Sequence, residues 1–337
     1  MNNTSLGNAA LPIKCLRSVA EGWTNYHYLN PTLVTAIAVL SLILGVLSTL
    51  ANGMVLAAVF KTPSLRTKTN FFLTSLALTD LSMGLFICPL FFFGALKWPY
   101  HVRFPVFGMV LDFLIMQTLI GSTLNLCAIS YDRHIAVKSP LLYTVIMTDK
   151  KCVSIITTIW FASTGLSALS FMDSSYEERP TVYIIPALAV PVPSITFMSY
   201  CYWKIYKVVL RQKKQIKAQS PSAFVNNDDT TVVQNRGNDS ARLKKERKAT
   251  TTVAMIVGTF ILCWLPNTLV SILHFFITKD YKCNAYTFGE FWLLSLPISF
   301  LNSLLDPLIY VLRNREFKIA IKALFLRSST RISHLEK

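Results

Sequence analysis

Residues 112–138 read DFLIMQTLIGSTLNLCAISYDRHIAVK. The run is apolar and helix-compatible and ends in Ser130-Tyr131-Asp132-Arg133-His134. Twenty-one residues carry the chain from Asp112 to Arg133, about 32 Å of helix at 1.5 Å rise per residue. That matches the thickness of a bilayer's hydrocarbon core. A helix here places Asp112 at one mouth and the Asp132-Arg133 pair at the other. Charges at such depths are costly and mark functional positions.

The rest of the chain has the same character. Hydrophobic residues make up 53% of the 337 positions and charged residues 15%. A soluble domain of this size carries more charge. The apolar residues come in long blocks, the mark of a polytopic membrane protein. The net charge of +16 reflects basic residues flanking those blocks. They form no single stripe of the kind that binds nucleic acid. Seven cysteines include no CxxC pair, so no metal spacing is present.

Seven apolar segments follow one another, roughly 33–60, 70–95, 104–137, 151–172, 181–210, 248–277 and 287–312. Each is long enough to span as a helix. The fold expected is an all-α membrane protein, a seven-helix transmembrane bundle. Residues 1–32 form the N-terminal segment, 33–312 the bundle and 313–337 the tail. Lys61, Arg66 and Lys68 follow the first segment, Lys138, Lys150 and Lys151 the third. Arg211, Lys213, Lys214, Lys244, Lys245, Arg247 and Lys248 follow the fifth, and Arg313, Arg315, Lys318, Lys322 and Arg327 the seventh. All fall on one side, which reads as cytoplasmic. The N-terminus is then extracellular and the chain a multi-pass protein of the plasma membrane. Asn2 and Asn3, in overlapping N-x-Ser/Thr sites, are glycosylation candidates on that outer side. Residues 1–32 lack the charged-then-apolar pattern of a signal peptide.

The stretch 213–245 has no periodic apolar face and reads as a disordered third intracellular loop. Residues 314–326 put Phe317, Ile321, Leu324 and Phe325 on one face, with Lys318 and Lys322 off it. This reads as a short amphipathic helix on the inner membrane surface.

One mark now stands in each span: Asn52; Leu76-Ala77-Leu78-Thr79-Asp80; Asp132-Arg133-His134; Trp160; Tyr202; Phe260-Ile261-Leu262-Cys263-Trp264-Leu265-Pro266; and Asp306-Pro307-Leu308-Ile309-Tyr310. Each is weak alone. In this order the set resembles the rhodopsin-like (class A) G-protein-coupled receptors over about residues 35–327. The resemblance implies a receptor that binds an extracellular small-molecule or peptide ligand. It also implies activation of a heterotrimeric G protein by an outward swing of the sixth helix, with arrestin and a receptor kinase as further partners. It assigns coupling and switch roles to Asp132, Arg133, Glu246, Tyr202, Tyr310, Phe260, Trp264, Pro266 and Pro307. Glu246 would pair with Arg133 and tie the third helix to the sixth at rest; the bland alternative is a rim ion pair of little worth. Pro266 and Pro307 each remove a backbone hydrogen bond and permit a kink.

Asp80 and Asp306 are acids near mid-membrane, where a lone carboxylate takes up a proton or finds partners. The resemblance implies an allosteric sodium ion held mainly by Asp80 and Ser122, with Asn302, Ser303 and Asp306 nearby; no other cofactor is expected. The alternative is a hydrogen-bonded polar cluster with water.

For the ligand, the resemblance implies a pocket formed by Asp112, Ile115, Met116, Thr118, Leu119, Trp264, Asn267, Thr268 and Leu296. Here the chain departs from its relatives. Ile115 stands where receptors for small amines carry an aspartate, the anion an ammonium needs, so a conventional amine receptor is disfavoured. Asp112, one turn further out, is either a substitute anchor or an ordinary charge at a helix mouth. The cysteine of the family disulfide would fall at Gly108, and no cysteine occurs between Cys152 and Cys201. In this the chain resembles the melanocortin, cannabinoid, lysophospholipid and adenosine receptors. It is similar to melanocortin receptors in Asp306-Pro307, in Ile146-Met147-Thr148 and in the acid at Asp112, although Gly108 and Leu90 replace their other two acids. That likeness makes Cys15 and Cys283 a disulfide candidate, with two free thiols as the alternative. Phe300 occupies the place of the retinal-binding lysine, which excludes an opsin.

Two other functional classes fit the chain less well. A transporter or ion pathway using Asp80 and Asp306 would show inverted repeats and broken helices in matching halves, and the chain has no such symmetry. No nucleophile–base or metal constellation points to an enzyme.

Overall fold

The structure is a computed structural model. It describes residues 30–96, 105–171, 188–218, 230–278 and 285–324, with side chains over 30–96, 106–171, 188–211, 248–273 and 291–324. Seven long helices account for most of it: Pro31–Lys61, Lys68–Leu96, Pro105–Lys138, Asp149–Phe171 (whose last four residues are a 3-10 turn), Pro191–Ala218, Thr230–Thr278 and Ala285–Arg313. Six are long and apolar enough to cross a membrane. The fifth is not among the six, and the outer, apolar part of its expected span lies outside the described residues. Residues 181–187 of the expected fifth span lie outside the described residues.

The helix ends follow from local chemistry. Asn30 caps the first helix by accepting from the Thr32 backbone N–H at 2.9 Å, and Pro31 fills the first turn, where no donor is needed. Thr67 and Thr148 cap the second and fourth in the same way. The second helix widens into a π turn over Met83–Ile87 just before Pro89. That ring would press on the carbonyl four residues back, and the wider turn relieves it.

The π turn also sets a close crossing. A Cβ on Gly84 would lie 2.5 Å from the Gly45 carbonyl oxygen and 2.5 Å from Thr49 Oγ1. A Cβ on Gly45 would meet Cys88 Cβ at 2.5 Å. The first two helices therefore touch backbone to backbone, the packing that small residues allow in membranes. The third helix is the most enclosed of the six and the fourth the least, so the third runs through the middle of the bundle.

The structure corrects one expectation. Within 213–245, read as disordered, residues 213–218 continue the fifth helix and 230–245 belong to the sixth; 219–229 lie outside the described residues. The reason is cooperativity: extending an existing helix adds a hydrogen bond per residue without a new nucleus; Lys, Gln and Ala in 213–218 are good helix formers, whereas Gly237 and its Thr, Val, Asn, Asp and Ser neighbours are carried by the helix they adjoin. An apolar face is not required for that. The seventh helix also contains Pro297 besides Pro307.

Residues 315–324 form the expected short terminal helix. Its Phe317 is fully buried, and Ile321 and Leu324 pack on the same core. Phe317 meets the Tyr310 ring at 6.4 Å, which docks this helix against the seventh. Phe325 lies outside the described residues.

Candidate functional site

The inner end of the third helix is a closed hydrogen-bonded cluster. Asp132 is fully buried and Arg133 is 7% exposed. Arg133 donates to Asp132 Oδ2 from Nε at 3.0 Å and from Nη2 at 2.7 Å. Thr69, on the second helix, donates its hydroxyl to the same oxygen at 2.8 Å and accepts from Arg133. Tyr143, in the short helix Tyr143–Ile146 of the loop that follows, donates to Asp132 Oδ1 at 2.6 Å. Both carboxylate oxygens are thus engaged. An ion pair this dry is costly to break from one side, because the remaining charge is left buried. Burial, followed by the Asp132 charge and its hydrogen bond, pushes the Tyr143 hydroxyl above the usual tyrosine range. It therefore remains a donor at every physiological pH.

Thr69 and Tyr143 are absent from the sequence reading. Thr69 left a usable signal: it precedes Asp80 by eleven residues, close to three helical turns, so both lie on one face. Tyr143 left none, since its position depends on how a loop folds. Glu246 is in the sixth helix, but its side chain lies outside the described residues. A different polar tie joins the inner ends of the sixth and seventh helices: Arg313 Nε donates to Thr252 Oγ1 at 3.2 Å.

Halfway along the bundle lies the acidic pair. Asp80 and Asp306 are fully buried, as are Ser122, Asn302 and Ser303 to within 2%. Asn302 Nδ2 is 3.4 Å from Asp306 Oδ2. Asn52 and Ser48 of the first helix both donate to the Ser303 carbonyl, at 2.8 and 3.1 Å, and Ser48 is 3.4 Å from the Asp80 carbonyl. Both carboxylate oxygens of Asp80, with Asp306 Oδ1 and Asn302 Oδ1, are buried without a well-formed hydrogen bond among the described residues. The Asp80 carboxylate is nonetheless within interaction distance of Ser303 and Asp306, so the cluster is an oxygen-rich set of the kind a small hard cation takes. No group of three or more His, Cys, Asp or Glu residues occurs among the described residues, so these oxygens match no transition-metal set.

The outer half is drier. Ile115, Met116, Thr118, Leu119, Trp264, Asn267 and Leu296 are all buried, and Asp112 and Thr268 are half-buried. Thr268 donates to the Trp264 carbonyl in its own helix. Asn267 donates to Ser295 Oγ at 3.0 Å and links the sixth helix to the seventh. Beneath it, Ser299 Oγ is 3.4 Å from the Cys263 carbonyl. That carbonyl lies next to the Leu262 carbonyl, whose backbone donor Pro266 removes. Trp264 packs on Phe260 at 6.2 Å between ring centres. The rings of Phe91 and Phe300 meet edge to face at 6.0 Å below the pocket. The Tyr310 hydroxyl, beside the terminal helix, is buried without a partner among the described residues, and Tyr202 is half-buried on the fifth helix. Trp160 donates to Ser75 Oγ at 3.1 Å and holds the fourth helix on the second. Asn2, Asn3, Cys15 and Cys283 lie outside the described residues.

The bundle thus brings together a dry ion pair at one end, a buried acid pair at mid-depth and a closely packed, largely apolar outer half. Residues 51–310 match the 7 transmembrane receptor (rhodopsin family), and the chain belongs to that family. It is 31% identical to the histamine H2 receptor of Canis lupus familiaris over 315 residues, 88% of this chain and 80% of that one. It is 31% identical to trace amine-associated receptor 5 of Mus musculus, over 88% of this chain and 87% of that one. The adenosine receptor A2b of Rattus norvegicus is 26% identical over 86% of this chain and 89% of that one. The chain is thus a multi-pass G-protein-coupled receptor with amine and adenosine receptors among its relatives. The family is one of receptors, not of enzymes.

Proposed function

We propose that the chain is a plasma-membrane receptor, with its N-terminus outside, for a compact amine-like ligand with an apolar body. The ligand sits among Ile115, Met116, Thr118, Leu119, Trp264, Asn267, Thr268 and Leu296, and its cationic end is met by Asp112 rather than at Ile115. Amine receptors among the relatives and the apolar lining support this reading. Ligand contact near Trp264 and Asn267 bears on the turn loosened by Pro266, so that the inner half of the sixth helix swings outward. The Asp132–Arg133 cluster, with Glu246 as a second partner for Arg133, holds the resting state. Asp80, Ser122, Asn302, Ser303 and Asp306 would hold a sodium ion, whose bound charge favours that resting arrangement. Arg133 then turns toward the G protein, with arrestin and a receptor kinase acting on the same inner face. The loop carrying Tyr143 presents Leu141, Leu142 and Val145, which are 87%, 56% and 72% exposed, beside that cluster as an apolar contact for the partner.

The observation that carries the coupling role is the buried Asp132–Arg133 pair, enclosed by two helices and a loop. The test is agonist-dependent nucleotide exchange on a co-expressed G protein, with a panel of amines, peptides, nucleosides and lipids. An amine response abolished by Asp112→Asn is expected. A response confined to another ligand class, or one unchanged by Asp112→Asn, defeats the ligand assignment. No exchange under any condition defeats the receptor mechanism.

A further inference from the structure

The inner end of the fifth helix carries a cluster that the receptor mechanism leaves unused. Tyr200, Trp203 and Tyr206 are 52%, 48% and 61% exposed. The Lys207 ammonium lies over the Trp203 ring at 3.6 Å from its centre. The Lys204 ammonium lies 5.2 Å from the Trp203 ring and 5.3 Å from that of Tyr200. Arg211, one turn beyond Lys207, is exposed. From Pro191 to Ala218 there is no Asp or Glu, so nothing on this helix neutralises the lysines.

The depth of the cluster follows from the packing. Cys127 Sγ reaches the Ser194 carbonyl at 3.8 Å, which sets the register of the third and fifth helices. These helices run in the same direction, being two crossings apart. Lys204 is ten residues past Ser194 and Lys138 is eleven past Cys127, about 15–16 Å in each case. Lys204 is therefore level with the end of the third helix, and Lys207 lies beyond it. This is headgroup depth. Aromatic rings belong there, and lysine stems lie along apolar surface with their charged ends at the polar boundary. A ring under each ammonium restricts its motion and leaves N–H donors facing outward.

We propose that Lys204 and Lys207, backed by Trp203 and Tyr200 and flanked by Arg211, form a binding site for the phosphorylated headgroup of an anionic phospholipid of the inner leaflet. Phosphate oxygens would accept from the two ammonium groups and the guanidinium, while the acyl chains run back toward the bilayer centre past the exposed Phe197 and Val192. A basic cluster next to a membrane-spanning segment has the charge for such a lipid. What sets this one apart is that its lysines are held on aromatic faces.

The full chain, in nanodiscs of neutral phosphatidylcholine doped with a phosphatidylinositol bisphosphate, tests this by native mass spectrometry after extraction. Retained lipid is expected for the wild type and for a Lys150→Gln/Lys151→Gln control, whose lysines are basic, exposed and on the same side. Lys204→Gln/Lys207→Gln should bind about twenty-fold more weakly, from the attraction each basic residue supplies near a charged surface. Soluble inositol trisphosphate should compete only weakly if the intact lipid is the ligand; full competition would mean a free-phosphate site and overturn the lipid assignment. Equal retention by both double variants overturns the site. A second measurement needs no lysine variant. Tryptophan quenching by a headgroup-labelled anionic lipid should be lost in Trp203→Phe, and quenching that persists undiminished counts equally against the proposal.

Discussion

The tightest contact to the buried Asp132 carboxylate comes from a loop, and Tyr143→Phe removes it alone. The hydroxyl is 2.6 Å from Asp132 Oδ1, and no other donor to that oxygen is described. A hydrogen bond to a charged group contributes roughly 1.5–3 kcal/mol. Tyr143 is only half-buried, so water can take over part of its role and the lower end applies, about 1–1.5 kcal/mol. If the contact belongs to the resting state alone, the population shift is about five- to tenfold toward the active state. Basal nucleotide exchange in membranes containing equal amounts of receptor measures it. The pH dependence is a second check. With the hydroxyl raised above its ordinary range, its contribution is fully present below the unfolded value of about 10 and is lost only as pH rises beyond it. The difference between wild type and Tyr143→Phe should therefore be constant from about pH 6 to pH 9. Thr69→Val removes one of the donors to the other oxygen and should act in the same direction. Unchanged basal exchange in both variants, at normal surface amounts, would refute the cluster as a restraint on the resting state.

Four further outcomes follow from named contacts. Glu246→Ala should raise basal exchange about two- to fivefold, the upper part of the range for a single rim ion pair; no change at equal surface expression rules out the second partner for Arg133. Thr252→Val, which keeps shape but removes the acceptor for Arg313, should also raise basal exchange, and Arg313→Gln should match it without adding to it in the double variant; additive effects would show that the two side chains act separately. Asp80→Asn should abolish any dependence of thermal stability on sodium, titrated against choline chloride, whereas a sodium response retained in the variant would place the cation elsewhere. Gly84→Ala should cost about 1–3 kcal/mol, the range for overpacking, seen as a lower melting temperature. Gly53→Ala, whose Cβ meets nothing within 4 Å, should be near neutral.

The fold was legible because a bilayer imposes a length and an apolar composition on every spanning helix. All seven segments are readable on that rule. What the rule does not contain is what happens beyond the membrane, and the 213–245 stretch shows this. The stretch has no apolar face, yet the fifth and sixth helices continue into it. The π turn at Met83–Ile87 was likewise hidden, because Pro89 signals a disturbance but not which irregular turn relieves it.

The site was legible where a residue acts through its own depth and charge, and illegible where it acts through a neighbour. Asp80, Asp132, Arg133 and Asp306 stand out as ionisable groups in apolar surroundings. Ser48, Thr69, Tyr143, Ser295 and Ser299 are ordinary polar residues whose roles exist only once another helix is placed opposite them. Their arrangement gives the receptor its mechanical character. Asn267–Ser295, Ser299 with the Cys263 carbonyl, and Arg313–Thr252 tie the sixth helix to the seventh on the outer side, at the Pro266 kink and at the inner end. Asp132, by contrast, ties the third helix to the second and to the following loop. The sixth helix therefore has polar ties to the seventh at three levels. An outward swing must break the innermost of these, Arg313–Thr252, or carry the inner end of the seventh helix, with the terminal helix that Phe317 docks on Tyr310, along with it.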